Sequence, residues 1–190
     1  MNLLRRSLGI AALCVTMLFA GCSGNSASSI SSEPVPSKSA LPGKKVYFAG
    51  PLFNAAEKEF NLRMAQVLED YDYQVFLPQR DGVEGALLEN KTEEEAVDII
   101  FPLDVENVLK ADILFMNLDG RAPDEGACVE LGIAYQAGKR CYGFKTDTRA
   151  AESAFDLNPM ITGCMTKIFK NFDGEALIAE IKDYLAHNDL

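Results

Sequence analysis

From residue 44 onward, short apolar runs alternate with longer stretches of helical periodicity, and few folds accommodate that alternation. Val46-Tyr47-Phe48-Ala49 stops at Gly50-Pro51, which reads as a strand followed by a turn. Asn54 suits the cap of a helix over 54–71, with Phe60, Met64, Val67 and Leu68 on one stripe. Residues 74–77 form a second apolar run, ended by Pro78, and a poorly patterned stretch over 81–92 precedes a helix over 93–110. The strongest strand is 111–118: Ile113-Leu114-Phe115-Met116 is apolar on both faces, as in the centre of a parallel sheet. A helix over 125–137 closes at Gly138, strands follow at 141–144 and 165–169, and an amphipathic helix spans 176–187. Repeated strand–helix units with right-handed crossovers predict an α/β fold, a doubly wound parallel sheet of five strands. The chain contains no internal repeat.

Residues before 44 read differently. Residues 1–6 are basic, 8–20 are apolar and uncharged, and polarity rises abruptly after Cys22. That order describes an export signal over 1–21, too short in its apolar part for the roughly 20 residues that span a bilayer. Leu18-Phe19-Ala20-Gly21-Cys22 resembles a bacterial lipobox, which implies lipidation of Cys22 and anchoring on the extracytoplasmic face of a membrane. An uncleaved N-terminal anchor is the alternative, and it tethers the chain on the same side. Residues 22–43 are rich in Ser and Pro and poor in large apolar side chains, so they are expected to form a flexible tether. Residues 44–190 then make one domain.

Charge and histidine content narrow the chemistry. Eighteen basic residues face 28 acidic ones, a formal net charge of −10, and the only charges in 1–21 are Arg5 and Arg6. An acidic domain repels phosphate backbones, which argues against a nucleic-acid partner. The single His187 lies three residues from the C-terminus, where a fraying end is expected, so Ser–His–Asp catalysis and His-rich metal sites are close to excluded. No metal or cofactor is expected, and the catalytic groups must be carboxylates, hydroxyls or thiols. Cys128, Cys141 and Cys164 have no metal-ligand spacing. They read as small buried hydrophobes or, alternatively, as one disulfide and a spare thiol.

Ligands of doubly wound sheets bind beyond the carboxyl ends of the strands. Three segments qualify: 50–54, 79–82 and 119–130. Gly50-Pro51 is not a glycine-rich phosphate cradle, since Pro51 lacks an N–H. Asp124 and Glu125 suit a helix N-terminus, but Glu130 sits among Val129, Leu131, Ile133 and Ala134, which a merely solvated acid would not. On a straight helix Asp124 and Glu130 would point about 240° apart, so they share a site only if Asp124 lies on the entry loop.

These residues, in this order, resemble the nucleoside 2-deoxyribosyltransferase family. The resemblance runs over about 45–170 and rests on Tyr47-Phe48-Ala49-Gly50-Pro51-Leu52-Phe53, on Asp104 and Asn107 before Ala111-Asp112, on Pro123 through Gly132, and on Leu157-Asn158-Pro159-Met160. It implies a flavodoxin-like (Rossmann-like) sheet and cleavage of the N-glycosidic bond of a 2′-deoxynucleoside. Glu130 matches the family nucleophile, which forms a deoxyribosyl-enzyme that a second base attacks with retention. Tyr47 matches the residue that orients the nucleophile, and Asp104 the acid that protonates the departing base. Asp124 matches the residue that accepts from the sugar 5′-hydroxyl, with Gly50 and Phe53 lying in the first motif, beside the substrate. Asn158 matches a residue lent across a subunit interface, which implies a homo-oligomer acting on deoxynucleosides and free nucleobases. Gln79 lies where family members contact the base; a turn filler is the other reading, and Arg121 has the same standing.

Three activities remain open at this point. Transfer of deoxyribose between bases in nucleoside salvage is favoured. Hydrolysis of deoxynucleosides or their 5′-monophosphates is the alternative, although the monophosphate hydrolases place Ser where Asp124 stands, and a carboxylate there repels phosphate. A nucleoside-binding lipoprotein without catalysis is the third, and the presence of Glu130 and Tyr47 counts against it.

Overall fold

A computed structural model describes residues 43–83, 85–149 and 155–190. The export signal, Cys22 and all of the tether except Gly43 lie outside the described residues. Five parallel strands make one sheet in the order β2-β1-β3-β4-β5: β1 Lys45–Ala49, β2 Gln74–Phe76, β3 Ile113–Asn117, β4 Arg140–Lys145 and β5 Lys167–Lys170. The connecting helices are α1 Ala55–Glu69, α2 Pro78–Asp81, α3 Gly85–Leu88, α4 Glu93–Lys110, α5 Glu125–Gln136, α6 Pro159–Cys164 and α7 Gly174–His187. The expected five-stranded, doubly wound α/β architecture is present.

Right-handed crossovers explain which face each helix covers. The chain steps from β1 outward to β2, then crosses back over β1 to β3, so α1 and α4 lie on opposite faces. Strand periodicity does the rest. Val46 and Phe48 of β1, with Ile113 and Phe115 of β3, join the core beneath α1 and α7, where Phe48, Phe115, Phe144 and Phe60 pack ring to ring. Tyr47 and Ala49, with Leu114 and Met116, point the other way, into the core shared with Val108 of α4 and with Ala127, Leu131 and Ala134 of α5. One residue of register therefore decides that Tyr47 faces α4 and α5.

Local chemistry sets the ends. Asn54 and Thr92 each form a complete capping box, with Glu57 and Glu95 as the reciprocal partners. Gly138 adopts φ 72° after α5, and Lys139 N–H reaches back to Ala134 O at 3.0 Å, the wrapped ending a C′ glycine permits. Asp112 receives the first N–H of β1, from Lys45, at 2.9 Å.

Several boundaries differ from expectation. The helix expected over 54–71 ends at Glu69, where the chain turns through Asp72 at φ 67°. The 79–82 turn is a single helical turn, α2, because Pro78 occupies its first position, where a missing N–H costs nothing. The unpatterned stretch contains the short helix α3, and α6 forms before β5, with Asn158 as its cap and Pro159 at its start. His187 is the last residue of α7, its Nδ1 2.8 Å from Asp183 O, rather than part of a frayed end. Cys128, Cys141 and Cys164 are free thiols; Cys141 is buried and the other two are partly so.

Candidate active site

α4 and α5 diverge to leave a cavity of about 440 Å³, within the range of small-molecule sites. Its walls are apolar: Ala96, Val97, Ile100 and Phe101 from α4, Val129 and Ile133 from α5. Asp104 and Glu130 are the carboxyl groups set into it from facing helices, with Glu93 near the start of α4. A second cavity of about 400 Å³ lies beside Lys45, Gln74 and Lys110 and contains none of the site residues expected from sequence.

Tyr47 lies beneath the carboxyl pair. Its ring is fully buried and stacked on Phe76, with centroids 5.6 Å apart. Its hydroxyl donates to Glu130 Oε1 at 2.7 Å and also interacts with the Asp104 carboxyl. Three groups from β1, α4 and α5 thus meet at one hydroxyl.

Burial dominates their protonation. It raises Glu130 to about 7, an effect strengthened by the Asp104 and Asp124 charges and opposed by the Tyr47 hydrogen bond. Burial also raises Asp104, against the same phenol. Tyr47 is pushed far above its ordinary value by burial and by the adjacent Glu130, so it remains a proton donor in hydrogen bonds. Both carboxyls around the one phenol are therefore raised.

Asp124 meets the condition set by helix geometry. It is the N-cap of α5, with non-helical ψ 134°, and its Oδ2 accepts from Ala127 N–H at 2.8 Å. Its charge reaches Glu130. Gly126 keeps the space beside that carboxylate open, since a Cβ there would lie 3.2 Å from Asp124 Oδ2.

Asp124 is not among the residues lining the cavity, and neither are Gln79, Phe53, Asn158 and Gly50. Gln79 is spent internally: its Nε2 donates to Lys58 O at 2.8 Å, and its Oε1 accepts from Asn61 at 3.3 Å. Phe53 is 74% exposed, and its N–H is held by Glu57. Asn158 is exposed and caps α6 through Met160 N–H at 2.9 Å, so it does not line the cavity of its own chain. Gly50 backs onto Asn117 so closely that an added Cβ would lie 2.8 Å from Asn117 Cβ. Gly50→Ala should therefore lower stability by about 1–3 kcal/mol, read as a shifted denaturant midpoint; an unshifted midpoint would refute the contact. Arg80 is held by Glu69, Asp81 and the Val75 carbonyl. Among the described residues, no group of three or more His, Cys, Asp or Glu is placed to hold a metal.

Two features of the site were not anticipated from sequence. Val97 and Phe101 of α4 are exposed and wall the cavity, and nothing in the sequence sets them apart from the helix's other apolar residues. The buried amides are the other: Asn117 interrupts the apolar run of β3, whereas Asn61 stands among the charged residues of α1.

A carboxylate–tyrosine–carboxylate site on a 2-1-3-4-5 parallel sheet defines a class of α/β enzymes acting beside the β1/β3 switch point. A sequence profile of the nucleoside 2-deoxyribosyltransferase family matches residues 46–185, and the chain belongs to that family. The 2-deoxyribosyltransferase of Bacillus psychrosaccharolyticus is 27% identical, with a TM-score of 0.59 over 74% of this chain and 91% of the other. A conserved protein from Enterococcus faecalis V583 matches with the same identity and TM-score, over 74% and 98%. A CMP N-glycosidase from Clostridium botulinum, at 15% identity and TM-score 0.52 over 74% and 99%, shares the fold. No curated protein matches the chain significantly in sequence.

Proposed function

We propose that the protein transfers 2-deoxyribose between nucleobases through a covalent intermediate on Glu130, in deoxynucleoside salvage. The observation that carries this reading is the Tyr47 hydroxyl held 2.7 Å from Glu130, beside Asp104, in an apolar cavity. Glu130 Oε attacks C1′ of the deoxynucleoside, and the C1′–N bond breaks. Its electron pair leaves with the base, which takes a proton from Asp104. A second base then attacks C1′, the C1′–O bond breaks, Glu130 is regenerated, and Asp104 recovers a proton from the incoming base. Two inversions retain configuration. The productive form of the pair carries its one proton on Asp104, with ionised Glu130 accepting from the Tyr47 hydroxyl.

Asp124 supports free nucleosides as substrates, because its carboxylate would repel a 5′-phosphate and accept from a 5′-hydroxyl. The engagement of Arg80 by Glu69 and Asp81 points the same way. Gly50, Phe53 and Gln79 then belong to the loops around the sugar and base. Val97, Phe101 and Val129 leave the outer wall of the cavity exposed in a single chain. We read that wall as covered by a second copy, whose Asn158 completes the site. The pattern of residues 1–22 supports export and lipid anchoring at Cys22, with 22–43 as a tether for the domain over 44–190.

The test is incubation of the purified chain with 2′-deoxyinosine and adenine. Deoxyadenosine should accumulate, and mass spectrometry without acceptor should find deoxyribose on Glu130. Base release at a rate indifferent to added adenine would make the enzyme a hydrolase instead.

A further inference from the structure

Asn61 and Asn117 are 1% and 2% exposed, buried amides that take no part in the chemistry above. They form a continuous chain. Asp119 N–H donates to Asn117 Oδ1 at 2.9 Å, and Asn117 Nδ2 donates to Asn61 Oδ1 at 2.9 Å. Asn61 Nδ2 donates to Pro51 O at 2.8 Å and to Gln79 Oε1 at 3.3 Å. Gln79 Nε2 ends the chain on Lys58 O at 2.8 Å.

The sense of every amide is set from the ends. The Asp119 N–H only donates, so Asn117 must turn its oxygen outward and its NH₂ toward Asn61. Asn61 must then present its oxygen to Asn117 and its NH₂ to the Pro51 carbonyl, which only accepts. Gln79 follows, with its oxygen toward Asn61 and its NH₂ toward Lys58 O. No member can flip without leaving a buried donor or acceptor unpaired.

The anchors are the significant part. Pro51 lies in the loop after β1, Gln79 in the turn after β2, and Asp119 in the loop after β3 that leads to Asp124. Asp119 carries the connection onward, its carboxylate accepting from Thr146 N–H and hydroxyl and from Asp147 N–H, all beyond β4. Gly50 packs against Asn117 itself. Independent loops would not hold sugar and base contacts in one register; a relay of rigid amides does.

We infer that Asn61 and Asn117 are positioning residues for the nucleoside site, a relay of side-chain amides that sets the loops after β1, β2 and β3 relative to one another. The inference rests on the nucleoside reading above and adds to it the origin of substrate placement. Neither amide touches the reacting atoms, so their loss weakens substrate binding while Glu130, Tyr47 and Asp104 keep their geometry.

The test uses Asn61→Ala, Asn117→Ala and the double variant in the full chain, with Asn61→Ser as the milder change should either fold poorly. KM for 2′-deoxyinosine should rise about tenfold with kcat within about threefold. The double variant should match the larger single effect within about twofold, because one relay is broken only once. A merely structural role would lower kcat with the active fraction, leave KM unchanged and multiply in the double variant; that result overturns the inference. Hydrogen exchange separates it from the functional reading. Residues 50–53 and 79–82 should exchange several-fold faster in the variants while α7 is unchanged, and wild-type rates there overturn the relay even if bases are exchanged. Loosened loops in a chain that turns over no deoxynucleoside would overturn the nucleoside reading, and with it the assignment of the relay to that site.

Discussion

Glu130→Ala abolishes base exchange, lowering kcat by about 10⁴-fold or more, since no other group in the cavity can take the nucleophile's place. Asp104 sits on the facing helix and shares Tyr47, but it is assigned to the proton. The variant should still bind a deoxynucleoside and form no covalent adduct; turnover within tenfold of wild type would eliminate the mechanism. Glu130→Gln adds a stability readout whose sign follows from burial. The Glu130 carboxyl is raised to about 7, so the folded chain holds that proton more tightly than the unfolded one. Its stabilising contribution is complete below the ordinary carboxylate range and is lost as pH rises through about 7. At pH 8 the wild type therefore carries a buried, charged carboxylate that the amide variant does not. Its Tm should exceed that of wild type by about 3–6 °C at pH 8, and the difference should shrink as pH falls and vanish below about pH 4. A Tm at pH 8 equal to or below that of wild type would show that Glu130 is not buried in this way. A site that is more stable without its nucleophile stores strain for function.

Tyr47→Phe should be the second largest effect. For the wild type, kcat/KM rises with pH through about 7 as Glu130 ionises. The phenol donates the one hydrogen bond that opposes burial at Glu130. Removing it moves the acidic limb to higher pH by about one unit and lowers kcat/KM at pH 6 by about tenfold. Phenylalanine keeps the ring that stacks on Phe76, so folding should be preserved. An acidic limb left in place would mean that Tyr47 merely fills the core.

The strands and the major helices were legible because their signals are local. Ile113 through Met116 can sit only in a strand buried on both faces, and the Asn54 cap announces its helix within four residues. α2, α3 and α6 were less legible, since a single helical turn buries too little to impose a period. At the site, Glu130 stood out as an acid in an apolar helix, but its role came only with the family resemblance. Its partner Tyr47 is 83 positions away in sequence, and no periodicity links two such residues.

By itself, then, the sequence determined an α/β sheet and the residue types at the carboxyl ends of the strands, rich in carboxylates and without histidine. These depend on side-chain period and composition, which are properties of neighbouring residues. The tertiary structure alone decided that Tyr47, Asp104 and Glu130 meet, that Asp124 stands outside the helix it caps, and that both carboxyls of the cavity are raised. It also decided that Asn61 and Asn117 join the loops. Each of these depends on the register of strands and helices far apart in the chain, and on how much water their packing removes.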